Sequence, residues 1–236
     1  MISGWMGWAK GRMLWLPAVA WAAALIIVYT QWWQWLDGPW APHDDSYYVT
    51  LLEVGPVLAG LVSIWGILPR MDWIDAQAVT HPQRRDLVAM VALIGAFALI
   101  SPLARWLFAL SPFYTTFVPP AFTVADPAQL DDALPYGVIW QYVPHIAGVL
   151  GLAVLLTGIL GRVFGPILGF LGYVGVLFIQ GHRLAPMLIP RMLNRTAPDV
   201  WVTPTTGAII PVAVIAIGLT IFRLSNSGTR RPGSYA

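Results

Sequence analysis

Cysteine is absent from the 236 residues. That absence excludes disulfides, cysteine-ligated zinc, iron–sulfur clusters and any thiol nucleophile, and says nothing of compartment. Charge is the second scarcity. Only 10% of the residues are Asp, Glu, Lys or Arg, against about 25% in an ordinary soluble domain. A chain so poor in charge cannot cover a water-facing surface. The net charge of +2 also gives no strong basic field for nucleic acid. Catalytic signatures are missing too. There is no HExxH, GxSxG or Walker motif, so no catalytic residue and no metal ligand is assigned. Any ATP hydrolysis would belong to a partner, and whether the chain is itself an enzyme stays open.

What fills the space is apolar. Hydrophobic residues make up 58% of the chain, with a mean hydropathy of +0.69. A spanning helix needs about 20 mostly apolar residues, and six runs qualify: 13–35, 50–68, 87–110, 136–160, 163–181 and 206–224. The N-terminal run ends in tryptophans and has no small-residue cleavage site, so it reads as a first span rather than a signal peptide. The expected fold is therefore all-α: a polytopic membrane helix bundle of about six spans in a single domain, 1–224. The tail 225–236, rich in Gly, Ser and Pro, is expected to be disordered.

Basic residues set the orientation. With the N-terminus inside, nine of the thirteen Lys and Arg residues fall on inner segments: Lys10, Arg12, Arg70, Arg84, Arg85, Arg162, Arg223, Arg230 and Arg231. The outer segments hold Arg105, Arg183, Arg191 and Arg195. The positive-inside bias then puts both termini in the cytoplasm of a cell (inner or plasma) membrane. Tryptophans such as Trp32, Trp33, Trp35, Trp73 and Trp140 gather near the span ends, as interfacial belts do. Segment 182–205 is outer, and its LAPMLIPRML stretch reads as an interfacial or re-entrant helix.

Few residues invite a specific role. His43, Asp44 and Asp45 form an outer cluster whose spacing matches no strong metal signature and reads as a solvated loop. Glu53 and Arg105 are the ionisable residues nearest the membrane interior. They either pair inside the bundle or snorkel to the headgroups. His145 lies within the fourth span, and His182, at the end of the fifth, is expected at similar depth. Haem or quinone held near His145 is thus one alternative, and a hydrogen-bonded structural histidine the other. Gly161, Gly165 and Gly169 recur every fourth residue and Gly172 follows, a stripe that allows helices to approach closely within the 136–181 hairpin or against a partner.

The polar hinge MDWIDAQAVTHPQRRD, 71–86, separates the second and third spans. Asp72 to Thr80 is expected to form about two turns along the inner membrane face, with the acids at the favourable end of the helix dipole. Arg84 and Arg85 follow as a basic anchor. The segment resembles the coupling loop of export-type ABC transporter permeases, in which a short cytoplasmic helix after the second span carries an acid, then Pro and basic residues. The residues that carry the resemblance are Asp75, Thr80, Pro82, Arg84 and Arg85, with Asp72 beside them. The departures are Asp where the family has Glu, Val79 where it has Gly, and a compressed Thr80-to-Pro82 spacing. The resemblance implies a membrane-spanning subunit working with a separate cytoplasmic ATPase that binds ATP and Mg, and with a second membrane subunit or a second copy of itself as dimer. The alternative is a structural or electron-transfer membrane subunit of a larger complex.

Overall fold

A computed structural model of the chain describes residues 12–32, 35–36, 49–68, 82–111, 136–181 and 204–228. The secondary structure is helical except for one two-stranded contact. Helix α1 is Trp15–Gln31, β1 is Trp35–Leu36, β2 is Val49–Thr50 and α2 is Leu51–Ile67. They are followed by α3, Pro82–Ala98; α4, Ile100–Leu110; α5, Tyr136–Gly181; and α6, Pro204–Gly228. The strands pair antiparallel, Trp35 opposite Thr50 and Leu36 opposite Val49, and tie the end of α1 to the start of α2.

Among the described residues, one helical segment, Ile139–Phe178, is long and apolar enough to cross a membrane, and α3 with α4, bent by 43°, makes a second candidate. Trp15–Gln31, Leu51–Ile67 and Ile209–Leu224 are apolar but shorter. The long segment is in fact folded in two. Gly161 has φ 85° and ψ 179°, a left-handed backbone that glycine adopts without steric cost. The residues beyond it return along those before it. Gly165 lies directly on the Thr157 backbone, a Cβ built at Gly169 would stand 2.7 Å from the Ala153 Cβ, and Gly172 meets Leu152. Two antiparallel arms result, 136–160 and 162–181, so the glycine stripe packs inside the hairpin, as its spacing allows.

Other close contacts fix the order of the bundle. Gly148, Gly151 and Gly158 of the first arm face Pro211, Ile215 and Phe222 of α6, which therefore runs parallel to that arm. Gly60 of α2 meets Leu150, and Arg162 lies over the Trp65 ring at 4.9 Å, so α2 is parallel to the same arm. Gly55 and Gly66 of α2 meet Val28 and Leu16, which sets α1 antiparallel to α2. Trp21 Nε1 donates to the Ala96 carbonyl at 3.0 Å, holding α3 against α1. The helices alternate in direction along the chain. Arg12, Gly66, Asp86 and Arg162 share one end, here named the inner end. Thr50, Ser111 and Tyr142 lie toward the other.

The boundaries differ from expectation in three places. The third apolar run is two helices, broken at Leu99, which is neither α3 nor α4. Its helix begins at Pro82, a residue favoured at the first helical position, so Pro82, Arg84 and Arg85 belong to the start of α3 rather than to the hinge. Helix α6 runs to Gly228, into the stretch expected as a disordered tail, and ends on a residue suited to stopping a helix.

Polarity is arranged inside out. Ile26, Val62, Val91, Phe164, Val212 and Ile217 are exposed on the bundle surface, while Arg12, Glu53, Asp86, Ser101, Arg105 and His145 are buried. Helix hydroxyls are satisfied locally: Ser63, Thr157 and Thr220 donate to carbonyls one turn back, at 2.7 Å each. Pro56, Pro144, Pro166 and Pro211 lie inside helices, a position costly in soluble helices and tolerated where neighbouring helices re-satisfy the freed backbone.

Candidate functional site

Glu53 stands in the first turn of α2, placed by the end of β2 and the start of the helix. Its side chain points into the bundle and its relative exposure is 0%. His145 comes from the first arm of α5, one turn after Tyr142, with 5% exposure. Because that arm runs parallel to α2, the two meet side by side, and His145 Nε2 is 2.6 Å from Glu53 Oε1. The approach is that of an ion pair, but neither Glu53 oxygen is aligned with a hydrogen-bond donor, and neither is His145 Nε2. The second arm closes over the pair: the Tyr173 ring meets the His145 ring edge-on, centroids 6.2 Å apart.

Other polar groups share this region. The Ser101 hydroxyl of α4 donates to the Leu52 carbonyl, beside Glu53. Thr50 Oγ1 donates to the Tyr142 hydroxyl at 3.5 Å, one turn closer to the outer end. Arg105, one turn beyond Ser101 on α4, is 1% exposed and makes polar contacts of its own. The structure thus brings Glu53 together with His145 rather than with Arg105. Glu53 and Arg105 are both buried within the bundle. The sequence placed Glu53 and His145 in spans, but their adjacency depends on α2 packing parallel to the fourth span, which local spacing does not reveal.

The rest of the predicted set lies elsewhere. Asp72, Asp75 and Thr80 fall outside the described residues, as do His43, Asp44, Asp45, His182 and the LAPMLIPRML stretch. Pro82 and Arg84 are described by backbone only, and Arg85 is half-buried in the first turns of α3. Haem at His145 fits poorly, because its Nε2 faces the Glu53 carboxylate and an iron would have to displace that group. No cluster of three or more metal-binding side chains occurs among the described residues.

A second polar site was missed by sequence reasoning. Arg12 Nη2 donates to Asp86 Oδ1 at 2.5 Å, with both side chains buried, bridging the start of α1 and the first turns of α3. Met13 N–H donates to the Gly66 carbonyl at 3.2 Å beside it. Both ends of the 69–81 hinge are therefore fastened at this corner. The only sequence signal was an arginine before an apolar run and an acid after Arg84-Arg85.

Comparison of the chain with protein-family models, with curated proteins and with solved structures finds no match, so the site is read from its own residues.

Proposed function

We propose that the chain is a polytopic membrane protein of six spans with both termini cytoplasmic, and that it is the permease subunit of an ABC exporter. A separate cytoplasmic ATPase would bind ATP and Mg and act on the 72–80 segment. The observation that carries the membrane reading is the inverted polarity: large apolar side chains such as Ile26, Val62, Phe164 and Val212 are exposed along the helices, while Arg12, Glu53, Asp86, Arg105 and His145 are enclosed. Contiguous apolar surface on this scale is foreign to soluble monomers, and enclosed ionisable residues are what bilayer-spanning bundles keep for function. The three shorter helices supplement their lengths with flanking residues at the interface, as short spans do. Support for the permease reading is the resemblance of Asp75, Thr80, Pro82, Arg84 and Arg85 to a coupling loop. That loop leaves α2 and enters α3 at the corner held by Arg12 and Asp86.

In the mechanism that follows, closure of the ATPases displaces the 72–80 segment, and the fastened corner passes the displacement to α1, α2 and α3 together. The test is co-purification in mild detergent. The intact chain should bring an ATP-binding-cassette ATPase with it, and replacing Asp75 and Thr80 together by Ala should release that partner while the bundle stays folded. An intact chain that purifies without an ATPase, or a double variant that keeps its partner and activity, defeats the permease reading. A reporter after Ala236 that reads external defeats the topology.

A further inference from the structure

The Glu53–His145 contact has a chemical peculiarity. A buried structural ion pair is stabilised only when hydrogen bonds satisfy its remaining lone pairs and protons. Here both carboxylate oxygens of Glu53 are enclosed without an aligned donor, in a pocket whose inner side is apolar. Val57 and Ile64 lie below Glu53 on α2, and Val149, Leu150 and Ala153 lie below His145, all buried. On the opposite side, one turn outward, the hydroxyls of Thr50 and Tyr142 meet. The pair is therefore polar toward one end of the bundle and sealed toward the other. The titratable groups that neighbour it are Tyr142 and Tyr173 from the two arms of α5, and Arg105 is buried one turn beyond Ser101 on α4.

We propose that Glu53 and His145 form a proton-binding site that exchanges with the outer end of the bundle through Thr50 and Tyr142. With one proton bound the pair is neutral, either as imidazolium with carboxylate or as imidazole with carboxylic acid. When that proton leaves to the Tyr142 side, a single negative charge remains in an enclosure whose inner side is apolar. The enclosure disfavours that charge, so release draws a counter-charge or a rearrangement of α2 against the hairpin. The ligand is a proton, and its occupancy is tied to how closely these elements pack. The site itself does not depend on the ATPase assignment; only the naming of the outer side does.

Glu53 is the sole glutamate of the chain, so the carboxyl is observable without mutation. The full-length protein, made by cell-free synthesis with glutamate carbon-labelled at its side-chain carboxyl and placed in lipid nanodiscs, gives one labelled position. The carboxyl resonance should move as the pH is varied. His145→Gln should shift the midpoint of that movement, and Tyr142→Phe should slow proton exchange while leaving the midpoint in place. A wild-type resonance that stays fixed as the pH is varied overturns the proposal, because the pair is then a permanent ion pair. A wild-type titration that His145→Gln leaves unmoved also overturns it, because the proton is then not shared. Neither outcome touches the co-purification test, so the two readings fail separately.

Discussion

The inner end of the bundle and its outer half both bury charge, and they do so in opposite ways. At the inner end a permanent cation, Arg12, donates a short hydrogen bond to Asp86, Arg162 covers Trp65, and Gly165 leaves no room at all against Thr157. In the outer half the carboxylate of Glu53 faces a partner that can be neutral and lacks aligned donors. Fixed charge makes a joint. Variable charge makes a part that can change state.

Substitutions can break or sharpen that contrast. The largest effect is expected at the inner joint. Arg12→Met should lower stability by about 3–5 kcal/mol, because Asp86 is left as a buried charge without its cation. The Arg12→Met, Asp86→Leu double variant should recover much of the loss, since no uncompensated charge remains. Unfolding in detergent measures both. A single variant that melts like the parent would mean the inner end is no joint.

Gly165→Ala comes next. Its methyl group lands on the Thr157 backbone, and overpacking of this kind costs about 1–3 kcal/mol. Lower folded yield and a lower Tm are the expected readouts. Glu53→Gln should cost less, below about 1 kcal/mol, because it keeps the shape while removing a poorly solvated charge. Should Glu53→Gln destabilise the protein as much as Arg12→Met, the outer pair is a joint as well and the contrast collapses. Smallest of all is Gly175→Ala. Nothing lies within 4 Å of the added carbon, and alanine is the better helix former by about 1 kcal/mol, so the melting temperature should hold or rise slightly.

What could be read in advance depended on whether the signal was local. Gly161, Gly165 and Gly169 announced a tight hairpin because small residues one turn apart share a helix face, and both arms of that hairpin are contiguous in sequence. The apolar runs announced the helices for the same reason. The bend at Leu99 was hidden, since Leu99 and Ile100 are as apolar as their neighbours and hydropathy alone does not register direction. Arg12–Asp86 and Glu53–His145 were hidden by distance along the chain. Each needs two helices to be neighbours, and nothing within either segment states who its neighbour is. Arg105 was left open by position alone: a residue near the end of an apolar run can reach the interface or turn inward, and α4 packs so that it is buried.

The turn at Gly161 has an elastic consequence. A loop of several residues between two helices absorbs displacement by changing its own dihedral angles. A reversal made at a single left-handed glycine has almost no such compliance. The arms 136–160 and 162–181 consequently translate and tilt as one stiff beam, and α6, keyed to the first arm at Gly148, Gly151 and Gly158, is carried along. The Tyr173 ring, on the second arm, stands edge-on to the His145 ring of the first.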